Sequence, residues 1–145
     1  MNSNELPTIC PECGAPQVSG LSCFEMLGAI IAWEWQDPEL LAEHFFTVAS
    51  YNLQHPAQFT EETLSGLRSV FIERLDHNLP IAEIRRRVSQ AAEGKTRVRK
   101  PESERTPILR PWPMTIADVY KSDHPQGAAG RVRAWAAAIR KELHP

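Results

Sequence analysis

Cys10-Pro-Glu-Cys13-Gly14, then Cys23, then His44-Phe-Phe-Thr-Val-Ala-Ser-Tyr-Asn-Leu-Gln-His55-Pro56 is the stretch that decides how this chain is read. All three cysteines and two of the five histidines fall within it. The proline between the first two cysteines and the glycine after the second suit a tight turn that points both sulfurs the same way. Such a turn brings two thiolates within reach of one tetrahedral ion. Redox CxxC pairs differ, because there the first cysteine opens a helix that follows a strand. Nothing strand-like precedes Cys10, and Gly14-Ala15-Pro16 prevents a long helix after Cys13. A metal knuckle is therefore favoured over a redox pair and over two unrelated thiols.

Two thiolates make half a site, and Cys23, His44 and His55 are the candidates to complete it. Ser22 suits the N-cap of a first helix over about Cys23–Trp35, with Phe24, Leu27 and Ile30 or Ile31 at helical spacing. Asp37-Pro38 reads as a cap followed by proline at the first helical position. The second helix then runs to about Gln54, marked by Leu41, Phe45, Val48 and Leu53 and stopped by Pro56. If the two helices form an antiparallel hairpin turning at Gln36-Asp37, Cys23 lies beside residues 51–55. His44 precedes His55 by eleven residues, about 16 Å along a helix axis, so the two cannot share an ion. Cys10, Cys13, Cys23 and His55 form the favoured ligand set. His44 is the alternative fourth ligand, if the knuckle reaches the middle of the hairpin. The ion expected of such a set is zinc, and four protein ligands leave no open position, which makes the site structural. Tyr51 and Gln54 are expected to orient His55.

The rest of the chain continues in helices. Thr60 caps a third, with Leu64, Leu67, Val70 or Phe71 and Leu75 on one face, ending near His77-Asn78. Pro80 opens a fourth to about Ala92, with Ile81, Ile84 and Val88 inward and Gly94 ending it. Thr115-Ile-Ala-Asp118 has capping-box spacing and starts a short helix. A last helix, Ala128 to about Leu143, turns Val132, Trp135, Ala136 and Ile139 inward. The fold class expected is all-α: an irregular bundle of five or six helices with an N-terminal zinc knuckle. One domain over residues 1–145 fits this length, with the knuckle and hairpin at 10–56. Residues 94–113 carry four prolines and no periodicity, which predicts an irregular, mobile or functional connection.

Charge is uneven although the net is only −2. No lysine or arginine precedes Arg68, whereas nine acids do. Attraction between the two halves inside one fold accounts for this more readily than separate acidic and basic faces. Arg85-Arg86-Arg87 with later bases and Trp112 makes nucleic-acid binding through residues 85–112 a rival reading, weighed against a solvated linker. Glu34, Asp37, Glu39, Glu43 and His44 are read as solvated acids ahead of a second metal site. No apolar run is long enough to span a bilayer. The start of the chain lacks a secretory pattern, and an odd cysteine count disfavours a disulfide framework. The expectation is a protein of the reducing cytoplasm. No phosphate-cradling loop or nucleophile elbow is present.

The order Cys10-Pro-x-Cys13-Gly14, a helix-opening Cys23, and then His44, Val48, Tyr51, Gln54, His55 and Pro56 resembles an uncharacterised, mainly bacterial family, domain-of-unknown-function family 5946. Ile116-Ala-Asp118-Val119 and Trp135-Ala136 are similar to its C-terminal pattern. The chain departs from it at Ala49, where family members often carry Asp. The resemblance implies this layout and a metal, and adds no reaction. The favoured function is a binding or interaction module with a protein or small-molecule partner. The rivals are a metal-dependent enzyme using His44 and His55, and the nucleic-acid binder.

Overall fold

A computed structural model describes residues 9–93 and 98–143. Helix α1 (Cys23–Trp33) begins at Ser22, whose hydroxyl accepts from the Glu25 amide while the Glu25 carboxylate accepts from the Ser22 amide. This reciprocal cap satisfies two amides that the first turn leaves open. A 3-10 turn (Glu34–Gln36) follows, and Asp37 caps α2 (Pro38–Ala42) through the Leu40 amide. Next come α3 (His44–Leu53), α4 (Glu61–His77) and α5 (Ile81–Glu93). Thr60 caps the start of α4, and Asn78 ends it in the left-handed region at φ 57°. The predicted capping box of Thr115 and Asp118 opens α6 (Ile116–Tyr120), and α7 (Ala128–Leu143) closes the fold. The described residues are all-α, with isolated bridges and no strand.

Seven α-helices are found among the described residues rather than five or six, because the expected second helix is broken. Glu43 closes a tight turn onto the Leu40 carbonyl at 2.9 Å and sits at φ −98°, ψ 11°, outside helical geometry. Its carbonyl then accepts from the amide and the hydroxyl of Thr47 in the first turn of α3. No proline or glycine marks the break, so periodicity carries no sign of it. Three residues expected to face inward face solvent instead: Phe24 (69% exposed), Leu41 (56%) and Val88 (60%). Met26 and Leu40, two positions and one position away, are buried instead of Phe24 and Leu41, and Ile84 is buried on α5 as its spacing predicts. The expected end of α5 at Gly94 lies outside the described residues.

Helix α7 is the centre of the core. It packs against α2, α3, α4 and α6, while α1 lies on α3 and α6. Val132, Trp135, Ala136 and Ile139 are fully buried, as their spacing predicts. The α3 side of this seam carries buried polar groups, Thr47, Ser50 and Gln54. Gln54 bridges two elements: its oxygen accepts from the Trp135 indole at 3.2 Å and its nitrogen donates to the Met114 carbonyl at 2.8 Å. Trp33 stacks on Tyr120, with centroids 5.6 Å apart, and so joins α1 to α6.

Helices α6 and α7 are connected by an unusual turn. Lys121, Ser122 and Asp123 have φ of 48°, 54° and 63°, three consecutive left-handed residues without a glycine. Arg131 reaches back over them from α7, donating to the carbonyls of Val119 (2.9 Å), Gln126 (2.6 Å) and His124.

Residues 98–114 form a strap containing one 3-10 turn at Glu102–Glu104. The Thr60 amide donates to Val98, Lys100 donates to the Gln58 carbonyl, and Arg110 donates to the Glu12 carbonyl at 3.1 Å. The last of these bonds lays the strap on the cysteine knuckle.

Because Trp135 is wholly buried and also satisfies Gln54, Trp135→Ala is expected to cost about 3–5 kcal/mol. Urea unfolding followed by circular dichroism measures this, and a loss under about 1 kcal/mol would remove the α3–α7 seam from its place as the core.

Candidate metal centre

The knuckle is built from backbone geometry. Cys10 donates to the Ala15 carbonyl at 2.9 Å, and Gly14 donates to the Cys10 carbonyl at 3.0 Å. Gly14 adopts φ 79°, a conformation that glycine reaches without steric penalty. The turn then aims amides at sulfur: Glu12 and Cys13 both donate to Cys10 Sγ at 3.4 Å, and Ala15 donates to Cys13 Sγ at 3.4 Å. A two-residue turn at Ser19-Gly20, both with positive φ, leads the chain to Ser22 and places Cys23 as the first residue of α1.

His55 stands just beyond the end of α3. Its Nδ1 donates to the Tyr51 carbonyl at 2.7 Å, which leaves Nε2 as the nitrogen facing the sulfurs. Nε2 lies 3.6 Å from Cys10 Sγ and 3.4 Å from Cys23 Sγ. The Tyr51 ring stacks on the imidazole at 4.0 Å, and its hydroxyl is 3.8 Å from Cys23 Sγ. The donor atoms of Cys10, Cys13, Cys23 and His55 all lie within 4.8 Å of one another and can hold a metal ion. The start of α1 and the chain just past the end of α3 lie side by side there.

The electrostatics of the cluster favour one thiolate beside an imidazolium. The hydrogen bond with Cys13, supported by His55 and working against burial, lowers the Cys23 thiol to about 4. The same bond, together with burial, pushes the Cys13 thiol far up. Burial is the largest influence on His55 and opposes its charge. The bonds to Cys23 and to the Tyr51 carbonyl outweigh it and raise the group to about 9. Burial and the Cys23 charge push the Tyr51 phenol up.

The other residues singled out in the sequence have different duties. His44 Nδ1 donates to both oxygens of Glu34, at 2.8 and 2.9 Å. Glu34 is only 6% exposed and His44 is 49% exposed, so the imidazole covers a buried carboxylate and presents its other edge to solvent. Asp37 is occupied as a cap, and Glu43 pairs with Arg133 of α7 at 3.3 Å. Gln54 does not orient His55; its amide is taken by Met114 and Trp135, and the Tyr51 carbonyl does the orienting. In the basic region Arg86 pairs with Glu83, and Arg87 with Glu73 and Glu83. Arg110 lies over the Trp112 ring at 4.0 Å, covering a face expected to stack on a base. Lys95 and Arg97 lie outside the described residues.

Glu12 was not anticipated. It is buried between the two knuckle cysteines, and its Oε2 accepts from the Ala57 amide at 2.7 Å. This bond ties the knuckle to the chain just past His55-Pro56. No spacing rule marks such an acid, and the only signal was a charged residue inside an otherwise compact turn.

Two outcomes follow from this geometry. His44→Ala leaves the Glu34 carboxylate buried without its partner and is expected to cost about 1–3 kcal/mol, with metal content unchanged on elemental analysis. Metal uptake near neutral pH must displace the proton that His55 keeps up to about 9, and protons on the thiols. Indicator dye in weak buffer should therefore record proton release on binding, and affinity should fall as pH is lowered.

No curated protein and no solved structure matches the chain. A family profile does, over residues 8–144. The chain belongs to the Family of unknown function (DUF5946).

Proposed function

We propose that this chain is a binding or interaction module whose helical hairpin is held by a structural zinc ion on Cys10, Cys13, Cys23 and His55. The observation that carries the reading is the spacing of the four donors. Zinc bound at about 2.3 Å to sulfur and about 2.1 Å to nitrogen has a tetrahedral sulfur–nitrogen edge of about 3.6 Å. The two sulfur–nitrogen distances are 3.6 and 3.4 Å. His55 is also oriented for ligation, because Nδ1 donates to the Tyr51 carbonyl and Nε2 faces the sulfurs. Amides donating to Cys10 and Cys13 offset the charge that three thiolates bring to one ion.

When bound, zinc supplies a cross-link between three chain segments and takes part in no reaction. A metal-dependent enzyme using His44 and His55 has less support, because both ring nitrogens of His55 are committed and His44 is paired with Glu34. The binding reading draws support from the turn of the hairpin, where Trp35 (89% exposed) and Leu41 stand in solvent. Tryptophan is among the residues most often found as an anchor in protein interfaces. Among the described residues no helix is long and apolar enough to cross a membrane.

Elemental analysis of the purified chain should give about one zinc per molecule. Cys23→Ser and His55→Ala should each lose most of it, with reduced helicity by circular dichroism. If both variants keep full metal and full helicity, the ligand assignment is wrong.

A further inference from the structure

Access, not the number of donors, separates the three sulfurs of the cluster. None is free of donors: Cys10 Sγ takes the amides of Glu12 and Cys13, and Cys13 Sγ takes that of Ala15. Cys23 Sγ is engaged by Cys13, by His55 at 3.4 Å and by Tyr51 at 3.8 Å. Within the four-residue cluster Cys13, Cys23 and His55 are buried, and Cys10 alone is not. Cys10 lies on a cleft of about 190 Å³ whose walls include Ile9, Pro11, Gln17 and Ser22. A reagent of a few atoms therefore meets Cys10 first, with two buried sulfurs within 4.8 Å behind it. An accessible thiolate beside a second cysteine is the arrangement in which oxidation proceeds to a disulfide. The two buried sulfurs differ as partners. Cys13 belongs to the same tight turn as Cys10, and its amide reaches Cys10 Sγ at 3.4 Å. Such a turn holds the two Cα atoms less than about 7 Å apart, close to the span a disulfide requires. Cys23 belongs to a separate element, α1.

We propose that Cys10 is a modification site for hydrogen peroxide, with Cys13 as the sulfur that converts the product into a disulfide and so releases the ion. The inference rests on the zinc reading above, since ligation holds both cysteines as thiolates. In the first step a Cys10 Sγ lone pair attacks one peroxide oxygen. An S–O bond forms, the O–O bond breaks, and hydroxide leaves with the bonding pair. The attacked oxygen keeps its proton, so Cys10 becomes a sulfenic acid, two electrons poorer, and the peroxide is reduced. In the second step the Cys13 thiolate attacks the Cys10 sulfur. An S–S bond forms, the S–O bond breaks, and a second hydroxide departs. Two thiolates and one peroxide thus become one disulfide and two hydroxides. Cys23 and His55 then remain as two ligands, too few for a closed tetrahedral site. The knuckle is afterwards joined to the chain past His55 by the Glu12–Ala57 hydrogen bond instead of by the ion.

The test uses the full, unaltered chain loaded with zinc and treated with substoichiometric hydrogen peroxide. Dimedone traps the sulfenic acid for peptide mass spectrometry, and a chromophoric chelator records the zinc. Dimedone should label Cys10 roughly tenfold more than Cys13 or Cys23, because exposure governs this oxidation. Without dimedone the first disulfide should join Cys10 to Cys13, with one zinc released for each bond formed. Dithiothreitol and added zinc should restore the starting metal content. Labelling of Cys13 or Cys23 first or equally, a first disulfide that leaves out Cys10 or Cys13, zinc retained after the bond forms, or metal content that reduction fails to restore would each overturn the assignment. Zinc stoichiometry measured beforehand separates the two failures. A chain that takes up no zinc removes the structural-zinc reading and this inference together. A zinc-bound chain oxidised first at another sulfur removes this inference alone.

Discussion

Three thiols and one imidazole converging within 4.8 Å are the constraint on which the rest of the structure hangs. Bringing more than one thiolate into such a cluster would set like charges against one another, a cost that a bound cation would offset. Its geometry reaches outward in both directions along the chain. Cys23 is the first residue of α1, and His55 stands just past the end of α3. The neighbour of His55, Gln54, carries that position into the core through Trp135 of α7. Glu12 carries it to the segment after Pro56 and, through its carbonyl, to the strap at Arg110. A local arrangement of soft donors thereby sets the register of the knuckle, the hairpin, the strap and the central helix.

Much of this was legible in the sequence because the relevant physics is local. The caps at Ser22, Asp37, Thr60 and Thr115 are satisfied by atoms two or three residues away, so residue type alone marks them. Helical rise separated His44 from His55 without knowledge of the tertiary fold. What was not legible depends on partners distant in sequence. Gln54 was read as a companion of His55, but its amide is claimed by residues sixty and eighty-one positions away. The break at Glu43 leaves no compositional trace. Phe24 looks like a core residue by spacing, yet it sits on the outer face of α1 and leans on Tyr51.

The uneven charge distribution is partly resolved inside the fold. Glu43 of the acidic half meets Arg133 of the basic half, and Glu61 meets Arg68 across the boundary between them. The basic segment also neutralises itself, through Arg86 and Arg87 on Glu83 and through Arg140 on Asp76. These pairs lie at the surface and contribute little to stability. Their effect is on what remains available to a partner. The arginines are largely engaged, whereas Trp35 and Leu41 face solvent on the acidic side.

The left-handed run Lys121-Ser122-Asp123 gives the α6–α7 corner a mechanical character of its own. Non-glycine residues held there are disfavoured by crowding of Cβ against the following carbonyl, Lys121 and Ser122 more than Asp123. Arg131 binds across the run by donating to the carbonyls of Val119, His124 and Gln126 on either side of it. The corner therefore behaves as a spring closed by a latch on the following helix. Tyr120, the last residue of α6, stacks on Trp33, so the corner is joined by packing to α1, the helix that presents Cys23. Two ends of the chain that share no sequence neighbourhood are in this way mechanically connected.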